Sequence, residues 1–393
     1  MRSIWILFLC FCSSSFAQFW QQQASFPGSA RDDGAAFSLG NLHYCGTGRS
    51  IDFSCTGDFY AFNATNGTWS AIASLPIWQE RQYATGFSYQ NAGYILGGEN
   101  CNGYYFTSFW RYNPTNNTWQ AMPDFPGAGR AGAQHFLIGS DLYWVGGRNA
   151  NGYLNEVWCF HFASNTWQQR SSLPIAGLWR GIGFSSNTKG YVSAGKISED
   201  PLNGWNDSTW AYEPLSDSWH SEPAIDFGKR FYVGAAQQDS LLFVFGGVDP
   251  NGTVYSTLQK INLNNLQSEL LPSFDGTARK GVMAFVNAGD FYITCGIEDQ
   301  TRINTSYRVT QAVYTGIQDN VVYQLFPIPS YETIFIRVEP QYIGQWVEIK
   351  DQQGRTIDTH QLENTTESIS MKDYPTGTYL VCLKGHARTV LKL

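Results

Sequence analysis

The sequence predicts an all-β protein: a six-bladed β-propeller followed by a small antiparallel β-sandwich. Three observations predict this fold. A unit of about 50 residues repeats six times, each unit holds short apolar stretches separated by turn residues, and the composition changes near residue 318. Aromatic residues make up 16% of the 393 residues and charged residues only 15%, with 39 Gly, which is typical of a turn-rich β fold.

The first 17 residues have the pattern of a secretory signal peptide. Arg2 supplies a positive start, residues 4–12 form an apolar run, and Ser15 to Ala17 place small residues before Gln18. We therefore expect cleavage after Ala17 and soluble export. No later stretch has the roughly 18 to 20 apolar residues that a membrane span needs.

An arginine that opens a Gly/Ala-rich apolar run marks each repeat. These arginines recur every 49 or 50 residues, at Arg31, Arg81, Arg130, Arg180, Arg230 and Arg279. About fifteen residues later each unit has a strand that ends in small residues, at Cys45-Gly46, Gly97-Gly98, Gly146-Gly147, Ala194-Gly195, Gly246-Gly247 and Cys295-Gly296. A turn and a tryptophan follow in the first four units, at Trp69, Trp119, Trp167 and Trp219. Four short strand patterns per unit predict one propeller blade per unit.

The N-terminal segment predicts how the ring closes. Trp20 lies eleven residues before Arg31, with Phe26 between them, and Trp119 has the same spacing to Arg130. The mature N-terminus should therefore supply the outer strand of the sixth blade. Such closure fixes the number of blades at six and leaves no exposed sheet edge between first and last blades.

The repeat resembles that of the Kelch family. That family has an arginine and small residues before the first strand, a double glycine after the second, and a Tyr/Asn-Pro…Trp segment across the third and fourth. The resemblance covers residues 18–317, which we assign to the propeller. The fifth unit departs from the pattern because it lacks the tryptophan, and the sixth ends near residue 317 without a fourth strand.

Residues 318–393 predict a second domain, a small antiparallel sandwich with turns at Gly354 and Gly377. This segment resembles the C-terminal sorting domain of type IX secretion substrates in Bacteroidetes. The matching motifs are residues 327–329, 351–355, 377–379 and the end Lys392-Leu393, with Ile328 where the family usually has Asn. The resemblance implies recognition by the outer-membrane secretion machinery, removal of the domain, and release or attachment at the cell surface.

Charge and cysteine content exclude several function classes. The net charge of −7 without a Lys/Arg run argues against nucleic-acid binding. Beyond the leader the six cysteines are too sparse for a disulfide framework, and none forms a CxxC metal pair. Cys45 and Cys55 bracket a short loop and are the candidate disulfide. The other cysteines are expected to be buried thiols.

Two interpretations of the repeated arginines remain open. They lie at the starts of the innermost strands, so symmetry predicts a ring at one mouth of the central channel that could hold the carboxylate or sulfate of an acidic sugar. Alternatively, each arginine pairs with a carbonyl or acid of a neighbouring loop and ties blades together.

Neighbouring loops add further candidates for a ligand site on the same face. The loops before the arginines contain Trp78, Glu80 and Trp179. Those after the double glycines contain Arg49, Glu99, Arg148, Lys196, Asp249 and Glu298. Mixed charge with tryptophan is typical of a sugar site, although solvated loops have the same composition.

The sequence favours binding over catalysis. We expect a secreted or surface-attached propeller that binds an extracellular carbohydrate or protein ligand, with no cofactor and no metal. Galactose oxidase, a Kelch-like enzyme, needs two His and two Tyr for copper, whereas His43, His135, His161 and His220 occupy unrelated repeat positions. No nucleophile elbow, HExxH or P-loop is present. The enzymatic alternative is a sialic-acid mutarotase or epimerase that uses Glu80 or Glu99 beside an arginine.

Overall fold

The structure is a computed structural model. It describes residues 20–310 except 187, 202, 224, 226 and 227, together with residues 323–326, 332–338, 340–351, 355–383 and 386–392. The predicted leader, the 327–329 motif, Gly354 and Leu393 lie outside the described residues. The chain divides into two compact units, Met1–Gln311 and Ala312–Leu393. Within the ranges given above, no helix has the length and apolar character that crossing a membrane requires.

Short strands make up the described part of the first unit. In chain order they are β1 (Trp20–Gln23), β2 (Arg31–Asp32), β3 (Ala35–Leu39), β4 (Leu42–Gly46), β5 (Arg49–Ser50), β6 (Phe59–Asn63), β7 (Thr68–Ile72), β8 (Thr85–Tyr89), β9 (Ala92–Leu96), β10 (Phe109–Asn113), β11 (Thr118–Ala121), β12 (Gln134–Ile138), β13 (Asp141–Val145), β14 (Arg148–Asn149), β15 (Gly152–Tyr153), β16 (Val157–His161), β17 (Thr166–Arg170), β18 (Ile182–Ser185), β19 (Gly190–Ser193), β20 (Thr209–Glu213), β21 (Ser218–Glu222), β22 (Gly234–Gln238), β23 (Leu241–Phe245), β24 (Leu258–Asn262), β25 (Gln267–Leu271), β26 (Met283–Asn287), β27 (Asp290–Thr294), β28 (Ile297–Glu298), β29 (Thr301–Arg302) and β30 (Ser306–Val309).

These strands form six four-stranded antiparallel sheets, so the predicted six-bladed propeller is confirmed. From the innermost strand outwards the blades are β3-β4-β6-β7, β8-β9-β10-β11, β12-β13-β16-β17, β18-β19-β20-β21, β22-β23-β24-β25 and β26-β27-β30-β1. Blade 5 is complete although its repeat lacks the tryptophan. The remaining short strands pair as β2-β5, β14-β15 and β28-β29 at the ends of blades 1, 3 and 6.

The N-terminal strand closes the ring, as the sequence predicted. Strand β1 pairs antiparallel with β30, with Trp20 opposite Val309. The Trp20 side chain is fully buried, and its ring centroid lies 5.2 Å from that of Phe274. Its indole N–H donates a hydrogen bond to the Pro272 carbonyl oxygen, which follows the outermost strand of blade 5.

The repeated tryptophans make the same contact at other blade junctions. Each indole N–H donates to a main-chain carbonyl just beyond the outermost strand of the preceding blade. The pairs are Trp69 with Ala24, Trp119 with Ala73, Trp167 with Pro123, and Trp219 with Ser171, at 2.8 to 3.2 Å. The wide ring and its single donor therefore join adjacent blades.

The predicted Cys45–Cys55 disulfide is wrong. Cys55 is bonded to Cys101, with a Cα–Cα distance of 5.5 Å, and Cys45 is a free, buried thiol. The reason is strand orientation: β4 directs Cys45 between blades 1 and 6, where it packs in one cluster with Met283 and Cys295. Cys55 instead follows β5 in a surface loop, so the bond links the loops of blades 1 and 2.

The second unit is a small β-sandwich, as predicted. Its strands are β31 (Tyr323–Phe326), β32 (Thr333–Val338), β33 (Trp346–Lys350), β34 (Thr356–Gln361), β35 (Thr366–Ser370), β36 (Gly377–Leu383) and β37 (His386–Lys392), with a 3-10 helix at Pro340–Tyr342. They form the sheets β31-β32-β35 and β34-β33-β36-β37. Alternate residues such as Ile334 and Ile336 of one sheet and Val347 and Ile349 of the other are buried in a shared core.

Candidate ligand site at the channel mouth

Five of the six repeated arginines lie inside their own blades. Arg31, Arg81, Arg130 and Arg279 are at most 2% exposed. In four blades the guanidinium donates from Nη1 to the carbonyl oxygen sixteen residues later, and the pairs are Arg31 with Thr47, Arg81 with Gly97, Arg130 with Gly146, and Arg230 with Gly246. The prediction that these five arginines ring the channel is therefore wrong, because the strand exits of their own blades occupy their donors.

Aromatic rings and acids complete the surroundings of these arginines. The Arg130 guanidinium lies 4.6 Å from the centroid of Phe125, and its Nη2 lies 2.6 Å from a Glu156 oxygen. Arg31 makes the corresponding contacts with Phe26 and Asp58. These contacts have the structural role of the second interpretation, but they join parts of one blade rather than neighbouring blades.

Blade 4 departs from this pattern, and backbone hydrogen bonds show how. The second strand of every blade is followed by two consecutive residues with positive φ, at Thr47-Gly48, Gly97-Gly98, Gly146-Gly147, Ala194-Gly195, Gly246-Gly247 and Cys295-Gly296. In five of the six pairs, the N–H of the second residue donates to the main-chain carbonyl of the repeated arginine in the next blade, for example Gly98 to Arg130 at 2.9 Å. Gly147 donates instead to Leu178, at 2.7 Å.

Leu178, rather than Arg180, therefore occupies the arginine position of blade 4. The Ala194 carbonyl, which an arginine would satisfy in another blade, accepts a hydrogen bond from Asn206 Nδ2 at 3.1 Å. Arg180 lies two residues further along. The regular spacing of arginines in the sequence conceals this two-residue shift.

Arg180 belongs to a ring of six residues, one from each blade, which we call the axial ring. Its members are Asp33, Tyr83, Gly132, Arg180, Tyr232 and Gly281, and all have φ between 55° and 66°. Consecutive members are joined by main-chain hydrogen bonds of 2.8 to 3.2 Å, namely Tyr83 to Asp33, Gly132 to Tyr83, Arg180 to Gly132, Gly281 to Tyr232, and Asp33 to Gly281. Because each blade contributes one residue, this ring encircles the central channel.

Side chains of the axial ring meet across the channel. Arg180 of blade 4 forms a salt bridge with Asp33 of blade 1. The Tyr83 and Tyr232 hydroxyls of blades 2 and 5 lie 3.3 Å apart, and Tyr232 donates to Asp33 Oδ2 at 3.0 Å. Glycines occupy the third opposing pair, in blades 3 and 6. These contacts close the channel at this level.

Burial sets the electrostatics of the axial ring. It raises the pKa of the Asp33 carboxyl well above its usual value; the Arg180 charge opposes the rise and neighbouring Asp32 adds to it. Burial also raises the pKa of Tyr83 to about 12, so its phenol is neutral at physiological pH. A carboxyl with a raised pKa beside a guanidinium is typical of functional sites, although structural networks show it too.

A second layer of residues covers the axial ring, and we call it the mouth layer. It consists of the residues just before the axial ring and their antiparallel bridge partners: Asp32 with Arg49, Gln82 with Glu99, Ala131 with Arg148, Trp179 with Lys196, Phe231 with Val248, and Lys280 with Ile297. Five of the candidates from the sequence lie in this layer, namely Arg49, Glu99, Arg148, Trp179 and Lys196.

Cations in the mouth layer lie against aromatic rings. The Arg148 guanidinium lies 3.9 Å from the centroid of Trp179, and Lys196 Nζ lies 5.8 Å from that of Phe231. Lys280 Nζ lies 5.8 Å from the ring of Tyr232 below it. All three cations are partly exposed. Glu199 pairs with Lys196 at 2.9 Å and lies 3.8 Å from Arg148, whereas no described acid forms a salt bridge with Lys280.

Buried polar atoms in the mouth layer have no hydrogen-bond partner within the described protein. They are Asp32 Oδ2, Gln82 Oε1 and Trp179 Nε1, on residues that are 1%, 4% and 6% exposed. Gln82 uses its Nε2 to donate to Glu99 Oε1 at 3.0 Å. Unsatisfied buried polar groups are destabilising. Water molecules or the hydroxyl groups of a bound ligand could donate to the Asp32 and Gln82 oxygens and accept from Trp179 Nε1.

The other predicted residues lie outside the mouth layer. Trp78 is 78% exposed in the loop between blades 1 and 2, and Glu80 of the same loop is partly buried with its side chain beside Gly57. Sequence reasoning missed Asp32, Asp33 and Tyr232. Aligning the small-residue pairs after the second strands, rather than the arginines, would have identified Tyr232. It would not have identified Asp32 and Asp33, because the left-handed pair of blade 1 is Thr47-Gly48 rather than the predicted Cys45-Gly46.

One group of potential metal ligands occurs among the described residues, at Asp141, Cys159 and His161 of blade 3. It lies at the end of β13 remote from the mouth layer. His161 Nδ1 is hydrogen-bonded to Asp141 at 2.9 Å, and burial raises the pKa of the Cys159 thiol to about 11. The group therefore satisfies itself without an ion.

The fold and the site define a class of protein: a six-bladed propeller with a side-chain-closed channel, followed by a β-sandwich. The family model of the Attractin/LZTR1 β-propeller matches residues 43–302, more than half of the chain, and the chain belongs to this family. The model of the secretion system C-terminal sorting domain matches residues 324–393. The protein is thus a type IX secretion substrate, exported to the cell surface or extracellular space.

A solved structure titled "Structure of YjhT" shares the propeller fold. It is 15% identical, with a TM-score of 0.59, and the match covers 72% of this chain and 96% of that chain. No curated sequence matches the chain.

Proposed function

We propose that this secreted propeller binds an acidic carbohydrate at the mouth layer. The observation that carries the proposal is the set of buried polar atoms without partners, beside cations that lie on aromatic rings. The chain is acidic overall, at −7, yet the mouth layer contains four cations, Arg49, Arg148, Lys196 and Lys280, against the two acids Asp32 and Glu99. Local positive charge on an acidic protein favours an anionic ligand.

The chemistry of the mouth layer matches a sugar acid group by group. Asp32 and Gln82 could accept hydrogen bonds from hydroxyl groups, and Trp179 Nε1 could donate one. Aromatic faces suit the apolar face of a sugar ring. The Arg148 guanidinium could hold a carboxylate or sulfate through two parallel hydrogen bonds. The axial ring would form the floor of the site.

A glycan array with the secreted protein tests this function. We expect binding to uronate, sialic-acid or sulfated glycans and none to their neutral counterparts. Arg148→Gln and Lys280→Gln should each weaken binding about tenfold, the effect of losing roughly 1.4 kcal/mol from a charged hydrogen bond. The matched control is Lys260→Gln, because Lys260 pairs with Glu269 on outer strands of blade 5.

Two results would overturn the carbohydrate proposal. One is an array on which acidic and neutral glycans bind equally or not at all. The other is capture of a protein partner that depends on Arg148 and Lys280 while the array stays silent, which would support the protein-ligand alternative.

A second candidate function is sugar mutarotation, which the carboxyl of Asp33 with its raised pKa favours. Such a group beside Arg180 could exchange a proton with a ring oxygen or anomeric hydroxyl. Glu99 offers a second carboxylate in the mouth layer. Nuclear magnetic resonance of sialic-acid anomer exchange tests this activity, and an unchanged rate at micromolar protein would eliminate it.

A further inference from the structure

Large apolar side chains are exposed in the loops of blades 1 and 2, at the mouth end of the propeller. They are Ile51, Phe53, Ile77, Trp78 and Tyr104, with exposures between 54% and 78%. Three are aromatic, and we call Phe53, Trp78 and Tyr104 the aromatic track. The loops that carry Phe53 and Tyr104 continue directly from Arg49 and Glu99 of the mouth layer.

Two members of the aromatic track have an unfavourable backbone conformation. Phe53 has φ of 68° and Trp78 has φ of 67°. Bulky L-residues rarely adopt this left-handed region, where glycine is free of strain. Neither ring gains burial in return, since Phe53 is 60% and Trp78 is 78% exposed. Strain of this kind at an exposed aromatic residue points to a role in binding rather than in folding.

The aromatic track is continuous with the mouth layer. The guanidinium of Arg302 lies 4.8 Å from the Phe53 ring centroid, and its Nε lies 2.5 Å from Asp32 Oδ1. Arg49, also of the mouth layer, lies 5.1 Å from the same ring. Phe53 therefore stands between two cations at the edge of the proposed sugar site.

A disulfide holds together the two loops that carry Phe53 and Tyr104. The Cys55–Cys101 bond joins them two residues after Phe53 and three residues before Tyr104. The Tyr104 ring packs on Phe106 at 5.1 Å, and Glu80, two residues after Trp78, lies against Gly57. The Phe53 and Tyr104 rings are thus carried on cross-linked loops, which reduces the conformational entropy that binding would remove.

We infer that the mouth layer and the aromatic track together bind one linear acidic polysaccharide. An acidic sugar unit occupies the mouth layer, and following units stack on the rings of the aromatic track, beginning at Phe53. This inference rests on the proposed function. The occupant is a polysaccharide rather than a protein because the rings continue a cationic, polar site and Phe53 is flanked by guanidinium groups that suit repeated acid groups.

Calorimetry with galacturonic acid oligomers tests the inference. The dimer can fill the mouth layer alone, whereas the octamer can also reach the aromatic track. We expect the octamer to bind at least tenfold more tightly. Phe53→Gly and Trp78→Gly should each lower octamer affinity several-fold and leave dimer affinity unchanged. Their melting temperatures should rise, because glycine relieves the positive φ.

Leu215→Ala is the control variant, since Leu215 is fully exposed in the turn between β20 and β21 of blade 4, away from the mouth layer. It should change neither affinity. If dimer and octamer bind equally and both track variants bind like the parent protein, this inference is wrong while the proposed function stands. If neither oligomer binds and the array shows no acidic glycan, the proposed function itself fails. A protein partner lost in both track variants would also overturn the inference.

Discussion

Arg130 and Arg180 lie 50 residues apart in similar sequence surroundings, yet they have opposite structural roles. Arg130 is buried in blade 3, where it satisfies the Gly146 carbonyl and Glu156. Arg180 crosses the central channel from blade 4 to Asp33 of blade 1. The difference arises from a two-residue change of register. It shows that in a repeat protein the hydrogen-bonding position, rather than the residue type, separates a structural residue from a site residue.

The largest expected effect comes from removing the Arg130 guanidinium, and the matched comparison is the removal of the Arg180–Asp33 pair. Arg130→Met should lower the free energy of unfolding by about 2 to 4 kcal/mol. The reason is that the buried Gly146 carbonyl and the Glu156 carboxylate both lose their hydrogen-bond donor. The double variant Arg180→Met/Asp33→Asn should cost less than about 1 kcal/mol, since it removes both charges of a buried pair. Urea denaturation of the propeller measures both. Equal losses of unfolding free energy would contradict the distinction between the two arginines.

A smaller effect is expected at the residue that replaces the arginine in blade 4. Asn206 is 4% exposed and donates from Nδ2 to the carbonyl oxygens of Ala194 and Ser208. Asn206→Ala should therefore cost about 1 to 2 kcal/mol by leaving buried carbonyl groups unsatisfied. The same denaturation experiment checks this value, and Asn203→Ala on the exposed part of that loop is the control. No loss of stability would mean that Asn206 is not the functional substitute for an arginine.

The smallest effect is a pH dependence of opposite sign for the two carboxylates. Partial burial acts to raise the pKa of Glu156, but the hydrogen bond and charge of Arg130 outweigh it and hold this pKa below its usual value. Its contribution to stability is thus present above about pH 4.5 and is lost as the pH falls. Glu156 is 39% exposed, so the contribution stays below about 1 kcal/mol. Burial raises the pKa of Asp33, so its protonated carboxyl stabilises the folded state. This contribution to stability is fully present below about pH 4 and is lost as the pH rises.

Unfolding free energies of the parent, Glu156→Gln and Asp33→Asn proteins between pH 3.5 and 7 check these signs. As the pH rises, the free energy of unfolding of the parent should increase relative to that of Glu156→Gln. Over the same range it should decrease relative to that of Asp33→Asn. Two differences of the same sign would contradict the distinction between the pairs.

The sequence was sufficient to predict the architecture. Blade number, closure by Trp20 and the C-terminal sandwich all follow from periodic features, because hydrophobic spacing and turn residues act locally. The contacts of Trp69, Trp119, Trp167 and Trp219 follow from the same periodicity.

The site was predicted only in part, for physical reasons. Arg148, Glu99 and Trp179 lie in the mouth layer, but the residues that contact them come from distant parts of the sequence: Gln82 bonds to Glu99, and the Trp179 ring lies between Tyr153 of blade 3 and Phe231 of blade 5. The shift at Leu178 could not be recognised from the spacing between arginines, because that spacing stays at 50 residues. It is visible only in the distance to the left-handed pair, which is 14 residues from Arg180 to Ala194 and 16 residues from Arg130 to Gly146. The Cys55–Cys101 bond joins neighbouring blades and so lies beyond a local loop argument.

The position of β1 has a consequence for the order of events during biogenesis. Its partner β30 is synthesised almost three hundred residues later. The first strand of the propeller therefore cannot pair until the last strand has been made. Until then Trp20 and the edge of blade 6 are without their final neighbours, and pairings so distant in sequence form slowly. A chain that emerges gradually into its compartment thus completes the ring in a single terminal step. After that step, blade 6 no longer has an unpaired strand edge that another chain could pair with.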